Sequence, residues 1–362
     1  MLNLIPASEL LQNCISFSQL NNIIMSAKKI LLACIMLAAF YISCLAQKTG
    51  IHLLNTFHIA SAGGWDYVAL QPNSNKLFVS HGTQVNILDK TTGDSLGIIP
   101  NTTGVHGIAF VPSLHKGFTS NGRLNNLTVF DLLTNAVLSQ IAVGENPDAI
   151  FYDEFSKKII TCNGRSKDLS IIDPVTQKVV ATIPVGGKPE TAVSNNAGKI
   201  YVNIEDKNEI IVVDAVSFLV EKRWTVAPGE APTGLAYDAK TKRLFAGCSD
   251  NKLLMVLDAV NGNIISKITI GDGCDGVAFD PALQYIYASN GEGSLSVIKE
   301  ITADKFEVIE NIVTKKSART ICIDEATHKI YLPAADLNPA EKPGDRPKMI
   351  PGTFQILVLG TQ

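Results

Sequence analysis

The sequence predicts an all-β fold, a seven-bladed β-propeller with four-stranded blades whose ring is closed by the N-terminal strand. The first observation is a short segment that recurs seven times, with 40, 42, 42, 43, 42 and 44 residues between successive copies. The second is that each copy continues through further short segments rich in β-branched residues, and four short strands per repeat are the signature of a propeller blade. The third is a strand-like segment before the first copy that matches a strand missing from the last copy.

The recurring segment is expected to form the innermost strand of each blade. In the third repeat, the three later strands are expected at 158–162, 169–173 and 178–185, bounded by Gly, Asn, Asp and Pro. The mature chain shows no sustained helical period. The seven copies of the inner segment begin at Asp66, His106, Asp148, Glu190, Thr233, Asp275 and Arg319.

Turn residues support the same repeat. An aspartate side chain can bond the backbone two residues further on and so stabilise a turn. Asn-Gly pairs such as Asn121-Gly122 and Asn163-Gly164 predict hairpin turns in which both residues take positive φ. Five third strands end on aspartate, which predicts a structural role for Asp89, Asp131, Asp173, Asp214 and Asp258.

The two ends of the repeat region predict how the ring closes. Residues 354–359 form the third strand of the last blade, and no fourth strand comes after them. Residues 54–59 precede the first blade and resemble 138–143, the fourth strand of blade two. We therefore expect the N-terminal strand to complete blade seven, which protects an otherwise open sheet edge.

The N-terminus has the three-part layout of an export signal. Lys28 and Lys29 precede an apolar run over 30–42, and small residues precede Gln47. The run is shorter than the roughly 20 residues of a membrane span, so cleavage before Gln47 is favoured over an uncleaved anchor. Lipidation at Cys44 is disfavoured, because the residues before it make a poor lipobox.

This pattern predicts a domain organisation and a location. Residues 1–24 are an upstream extension without an assigned role, 25–46 are the signal peptide, and 47–362 are one propeller domain. We expect a secreted or periplasmic protein that has no membrane span after cleavage and is a monomer.

Charge and motifs exclude several functions. The loss of residues 1–46 leaves 29 basic and 33 acidic side chains, a net charge of −4, whereas nucleic-acid binders usually carry a basic face. The chain has no motif for haem, zinc ribbons or nucleotides, because its one G-x-G-x-x-G match, 271–276, runs on into a strand. Cys248 and Cys274 are candidates for a disulfide in an oxidising compartment, with two free thiols as the alternative.

Several fragments resemble a known repeat class. Ile200-Tyr201-Val202-Asn203, Ile286-Tyr287-Ala288-Ser289-Asn290 and 183–189 are similar to the repeats of YVTN propellers, including YncE-like periplasmic proteins. The resemblance covers about 51–362, and no repeat holds the full tetrapeptide. It implies a seven-bladed fold and export, but such propellers carry many activities. Some YncE-like proteins are linked to DNA binding, which the negative charge disfavours here.

The starts of the inner strands predict a site at one mouth of the central channel. A concave mouth lined by one sign of charge attracts the opposite charge, which favours a cation or cationic ligand. Asp148, Glu190 and Asp275 are candidate metal ligands, and their hard oxygens suit Ca²⁺ or Mg²⁺. The alternative is that these groups are solvated polar residues at loop exits. The candidate ligand-binding residues are Asp66, His106, Asp148, Glu190, Asp275 and Arg319.

A long loop in blade seven is expected to rise beside this mouth. Residues 333–352 contain five prolines, which favours an extended, semi-rigid segment. Loops of this length are often functional, although a bland insertion is the open alternative. The candidate contact residues of this flap are Glu341, Asp345, Arg346 and Lys348.

These features favour two classes of function. The first is a binding or scaffold propeller in the cell envelope that holds a small molecule or protein through the mouth and the flap. The alternative is a metal-assisted hydrolase of the lactonase kind. The enzyme would be favoured if Glu190, His106 and Arg319 formed a carboxylate–His–Arg cluster, which sequence alone does not place within reach.

Overall fold

The computed structural model describes residues 49–339 and 347–361, together with 24–26 and 28–29 near the N-terminus. The chain divides into two units, Met1–Lys48 and Thr49–Gln362. In the first unit the described residues are helical. Apart from these, the expected signal peptide lies outside the described residues, so its assignment stays a prediction. In the described parts of the chain, every helix falls short of the length and apolar character that a bilayer crossing requires.

Seven antiparallel sheets of four strands each form the blades, as predicted. Blade one comprises β2 (Trp65–Leu70), β3 (Lys76–His81), β4 (Gln84–Asp89) and β5 (Ser95–Ile99). Blade two comprises β6 (Val105–Val111), β7 (Lys116–Asn121), β8 (Asn126–Asp131) and β9 (Val137–Ala142). Blade three comprises β10 (Pro147–Asp153), β11 (Lys158–Asn163), β12 (Asp168–Asp173) and β13 (Lys178–Pro184). Blade four comprises β14 (Pro189–Ser194), β15 (Lys199–Ile204), β16 (Glu209–Asp214) and β17 (Val220–Thr225).

The remaining three blades have the same plan. Blade five comprises β18 (Pro232–Asp238), β19 (Arg243–Cys248), β20 (Leu253–Asp258) and β21 (Ile264–Thr269). Blade six comprises β22 (Cys274–Asp280), β23 (Tyr285–Asn290), β24 (Ser294–Thr302) and β25 (Lys305–Val313). Blade seven comprises β26 (Cys322–Asp324), β27 (Lys329–Ala334), β28 (Gln355–Gly360) and β1 (His52–His58). Two single-turn 3₁₀ helices, Pro112–Leu114 and Glu205–Lys207, lie in connections.

The ring is closed by its N-terminal strand. β1 pairs antiparallel with β28, from His52 opposite Gly360 to His58 opposite Gln355. This pairing confirms the predicted closure, and it joins the two ends of the propeller in one sheet.

The core is divided among the interfaces between neighbouring blades. Each interface holds its own cluster of buried apolar side chains. The cluster between blades seven and one contains Phe57 and Ile59 from the N-terminal segment beside Val68 and Leu77 of blade one. The hydrophobic effect therefore acts between blades, where strands buried on both faces meet.

The turn aspartates have the predicted structural role. Asp173 Oδ1, for example, accepts hydrogen bonds from the backbone N–H groups of Val175 and Thr176, at 3.0 and 2.8 Å. These bonds, with that from Lys158, lower the pKa of Asp173 to about 2. The Asn-Gly prediction is wrong in its detail. Positive φ falls on Asn125 and Lys167, at the ends of four-residue turns, rather than on the Asn-Gly pairs.

The candidate disulfide does not form, and the alternative of two free thiols is confirmed. Cys248 and Cys274 are both buried free thiols. Each sulfur packs against a different glycine: a Cβ on Gly229 would lie 2.6 Å from the Cys248 sulfur, and one on Gly247 would lie 2.6 Å from the Cys274 sulfur. The two side chains therefore fill separate gaps in the core, and burial raises the pKa of Cys248 to about 12.

Candidate functional site

The inner strands present their first residues to the mouth through β-bulges. In blades one to six, the pairing of first and second strands shifts at this point, for example between Trp65 and Val68 and between Pro147 and Ile150. A bulge bends the strand and re-aims the side chain beside it. In blade seven the inner strand starts only at Cys322, so Arg319 precedes it.

Hydroxyl groups hold these bulges in place. The Ser80 hydroxyl accepts a hydrogen bond from the Asp66 backbone N–H at 3.0 Å and donates to the Tyr67 carbonyl at 2.9 Å. Ser120 accepts from the Gly107 N–H at 2.8 Å and donates to the Asp148 carbonyl of the next blade. The backbone around the mouth residues is therefore fixed both within and between blades.

His106 lies between two carboxylates from neighbouring blades. Its Nδ1 lies 2.5 Å from Asp66 Oδ2 and 3.8 Å from Asp148 Oδ1. Burial disfavours the charged imidazole, but the hydrogen bond with Asp66 and the charges of Asp148 and Asp66 outweigh it and raise the pKa of His106 to about 9. At neutral pH the imidazole is therefore protonated and donates to Asp66.

Two further cations cover the remaining acids. Arg319 pairs with Asp275, and its Nη2 lies 3.7 Å from Asp66 Oδ1. Lys188 Nζ lies 3.0 Å from Glu190 Oε2 and also pairs with Glu205. The side chains of Arg319 and Lys188 are 42% and 38% exposed, whereas the four predicted acids are 11–17% exposed. The acids thus form a floor beneath a partly cationic rim.

Asp148 is the least compensated acid of this floor. Its residue is 8% exposed, and its Oδ1 has no hydrogen-bond partner. Burial, reinforced by the Asp66 charge and opposed by His106, raises the pKa of Asp148 to about 7. Burial and the Asp148 charge likewise raise the pKa of Glu190 well above its usual range. The fold therefore disfavours the ionised forms of both carboxyls, which a nearby cation would stabilise.

Tyr67 is a further residue of the mouth, and it was not predicted from the sequence. Tyr67 comes directly after Asp66, at a position that Gly107, Ala149 and Gly276 occupy in other blades. It lines a cavity of about 230 Å³ in the channel, together with Asp275 and mainly apolar side chains. Burial and the charges of Asp148, Glu190, Asp66 and Asp275 raise the pKa of Tyr67 well above its usual range. The sequence signal that could have identified Tyr67 is its large side chain at a position where other blades have small residues.

Lys188 and Glu205 were also missed, because their role depends on contacts with other loops. Lys188 lies directly before the inner strand of blade four, and Glu205 begins a single-turn helix after its second strand. The role of Gly122 was also not predicted: a Cβ at this position would lie 2.7 Å from His106 Nε2. The bare glycine leaves room for the imidazole.

The flap is described only at its base. Leu337 and Met349 form an isolated antiparallel bridge, and the Asn338 N–H donates to the Lys348 carbonyl at 2.8 Å. Phe354, at the end of this loop, stacks on His81 with ring centres 4.2 Å apart. Glu341, Asp345 and Arg346 lie outside the described residues, so a ligand-covering role for the flap stays a prediction.

The geometry also distinguishes among the candidate metal ligands. Asp66, His106 and Asp148 offer one ligand atom each within 4.8 Å of one another, and they are the one such group among the described residues. Asp275 and Glu190 are instead paired with Arg319 and Lys188. Of the three ligands expected from sequence, Asp148 alone belongs to this group.

Comparison with known proteins supports the fold alone. No protein-family model matches the chain, and no curated protein matches it. Among solved structures, hydrazine synthase from Kuenenia stuttgartiensis is similar with a TM-score of 0.66 and 14% identity, over 76% of this chain and 94% of that chain. At this identity the likeness identifies the architecture, which many activities share. The chain is therefore a seven-bladed β-propeller by its structure and by its similarity to known structures.

Proposed function

We propose that this protein is an exported propeller of the YVTN-repeat, YncE-like type that binds a cation or cationic ligand at its channel mouth. The repeat fragments around Tyr201 and Tyr287 and the signal-like segment at 25–46 support the repeat class and the export. Mature protein from the native host is expected to begin near Gln47, and a mature protein that retains 30–42 would contradict export.

The charge balance of the mouth supports cation binding. Three cationic side chains, His106, Lys188 and Arg319, face five carboxylates. When all eight groups are ionised, the carboxylates outnumber the cations by two. The carboxylates are those of Asp66, Asp148, Glu190, Glu205 and Asp275.

One observation carries the proposal. Asp148 Oδ1 is buried at the mouth without a hydrogen-bond partner, although buried polar atoms are almost always satisfied. A bound cation would satisfy this oxygen and favour the ionised forms of Asp148 and Glu190. Functional sites often keep groups that the fold alone would not favour.

The proposal is tested by a thermal-shift screen of inorganic and organic cations. The double variant Asp148→Asn with Glu190→Gln should lose the response to every cation that stabilises the wild type. The control variant, Glu154→Gln with Asp304→Asn, removes two charges whose side chains are 60% and 72% exposed. It should respond like the wild type. Equal responses of all three proteins would place binding elsewhere.

The same double variant has a second expected property. A carboxyl whose pKa is raised in the folded state stabilises the fold while protonated, and this stabilisation is lost as pH rises through the folded value, about 7 for Asp148. Without cation at pH 8, the neutral amides should therefore melt at or above the wild-type temperature. A variant that melts well below the wild type would mean that the charges stabilise the fold.

A hydrolase remains the second candidate function. One observation favours it: Asp66, rather than the expected Glu190, lies beside both His106 and Arg319 and makes a carboxylate–His–Arg cluster, whereas Glu190 pairs with Lys188. His106 could act as a general acid or base beside a bound cation. A panel of lactones tested with the wild type and Asp66→Asn distinguishes the two, because a pure binding protein hydrolyses none of them.

A further inference from the structure

Three ligand atoms from three successive blades face one another at the mouth. His106 Nδ1 lies 2.5 Å from Asp66 Oδ2 and 3.8 Å from Asp148 Oδ1. The three residues offer one ligand atom each within 4.8 Å of one another. Bonds of about 2.0–2.2 Å in a tetrahedral site place ligand atoms roughly 3.3–3.6 Å apart, so shifts of about 1 Å would bring these residues to one ion.

The arrangement leaves one oxygen that the protein does not satisfy. Asp148 is 8% exposed, and its Oδ1 lacks a hydrogen-bond partner while it faces the other two ligand atoms. A buried carboxylate is costly unless it is well paired or coordinates a metal. This oxygen, which also supports the proposed function, points to an ion beside Asp66 and His106.

Residues around the three ligands contact them in the way that residues around a metal site do. The two oxygens of Asp66 have different partners: Oδ2 contacts His106, and Oδ1 lies 3.7 Å from Arg319 Nη2. Thr320 Oγ1 donates to the Asp66 carbonyl at 2.6 Å, and Ser120 holds the Asp148 carbonyl. The two hydrogen bonds fix the backbone that carries the carboxylates, and Arg319 lies beside the second Asp66 oxygen, where outer contacts of a metal ligand are found in known sites.

The ligand set determines the class of ion. Calcium and magnesium prefer oxygen ligands alone, whereas an imidazole nitrogen suits zinc, iron, nickel and copper. We propose that Asp66 Oδ2, His106 Nδ1 and Asp148 Oδ1 bind one divalent transition-metal ion of the zinc or cobalt class. This inference rests on the proposed function, since the ion is the cation that the mouth binds.

Binding replaces a proton by the ion. The proton on His106 Nδ1, which is donated to Asp66, leaves to solvent, since a ligating imidazole is neutral. The nitrogen and Asp66 Oδ2 then separate by roughly 1 Å to share one ion. The imidazole has room for this shift, because it is 26% exposed. Further coordination positions face the open mouth and are available to water or to a ligand.

The experiment is a calorimetric titration of the tag-free mature chain, stripped with a chelator, with ZnCl₂, CoCl₂, CaCl₂ and MgCl₂. Zinc and cobalt should bind at about one equivalent, at least about tenfold more tightly than calcium or magnesium. His106→Gln should weaken zinc binding at least about tenfold. Melting curves without metal check that the variants fold.

The chain offers a matched control for this variant. His328 Nδ1 contacts Asp280 Oδ2 at 2.7 Å, and the Asp280 side chain is 1% exposed. The pair has the same chemistry as His106 with Asp66, but among the described residues no second carboxylate joins it in a metal-type group. His328→Gln should therefore bind zinc like the wild type, whereas Asp148→Asn should match His106→Gln.

Three other binding results would separate the transition-metal site from the proposed function. If calcium or an organic cation binds and His106→Gln binds it like the wild type, the transition-metal site is wrong and the proposed function stands. If zinc binds equally to wild type, His106→Gln and Asp148→Asn, the ion lies elsewhere and the inference is overturned. If neither metal nor organic cation binds to the folded wild type, the proposed function fails with it.

Discussion

Removing the Phe57 side chain should weaken the closure of the ring. Phe57 lies on β1, is 4% exposed, and packs with Val68 and Leu77 of blade one. Its ring packs against Gly93 so closely that a Cβ on Gly93 would lie 2.3 Å from Phe57 Cδ1. One side chain of the N-terminal strand thus packs blade seven against a turn of blade one.

The expected loss is derived from this burial. A buried phenylalanine removes about 150–250 Å² from water, which at about 25 cal/mol per Å² is worth roughly 4–6 kcal/mol. Truncation in a core typically costs about 3–5 kcal/mol. With an unfolding entropy of about 2.1 cal/mol/K per residue, Phe57→Ala should lower the melting temperature by roughly 5–8 °C.

The assay is thermal unfolding followed by calorimetry, with a control on the same strand. Leu53 is 54% exposed and pairs with β28 through its backbone. Leu53→Ala should change the melting temperature by less than about 1 °C, since surface substitutions rarely exceed about 0.5 kcal/mol. If Phe57→Ala and Leu53→Ala have the same melting temperature, the N-terminal strand does not stabilise the ring through Phe57, and the expected role of this side chain is wrong.

Two further predictions test the site and the blade interfaces. Gly122→Ala should weaken zinc binding several-fold, because its Cβ would lie 2.7 Å from His106 Nε2. Gly164→Ala should leave zinc binding unchanged, because the nearest atom to its Cβ would be 3.5 Å away. Equal zinc affinities of the two variants in titration would contradict this. Glu300 is fully buried, and burial together with the Asp238 charge raises its pKa. Its protonated form therefore stabilises the fold, and this stabilisation is lost as pH rises through the folded pKa. Glu300→Gln should therefore raise the unfolding free energy by about 1–3 kcal/mol at pH 8 and little at pH 4, and a uniform effect across pH in chemical denaturation would contradict it.

The blade count and the closure could be predicted because they depend on local patterns. The spacing of the inner segments sets the number of blades, and the likeness between 54–59 and 138–143 identifies the unpaired strand. Asp173 and its equivalents could be assigned to turns because an aspartate bonds backbone groups only two or three residues away. These interactions lie within one repeat, so the sequence contains all their partners.

The arrangement of the mouth depends on contacts between repeats, which the sequence does not specify. Convergence of the inner-strand residues could be inferred from the fold, but the pairing of Arg319 with Asp275 depends on how neighbouring blades are rotated. The positive φ at Asn125 was missed because the Asn-Gly pattern fits a two-residue turn, whereas Gly122 is needed for close approach of His106. Tyr67 was missed because its significance lies in the small residues at the same position of other blades.

Binding of a transition-metal ion at the channel mouth is tested by anomalous diffraction from crystals grown with zinc. We expect one strong peak between Asp66 Oδ2, His106 Nδ1 and Asp148 Oδ1, with bonds of about 2.0–2.2 Å, and loss of this peak in Asp148→Asn crystals. A mouth without a peak at saturating zinc, or a peak that persists unchanged in the Asp148→Asn crystals, would contradict it.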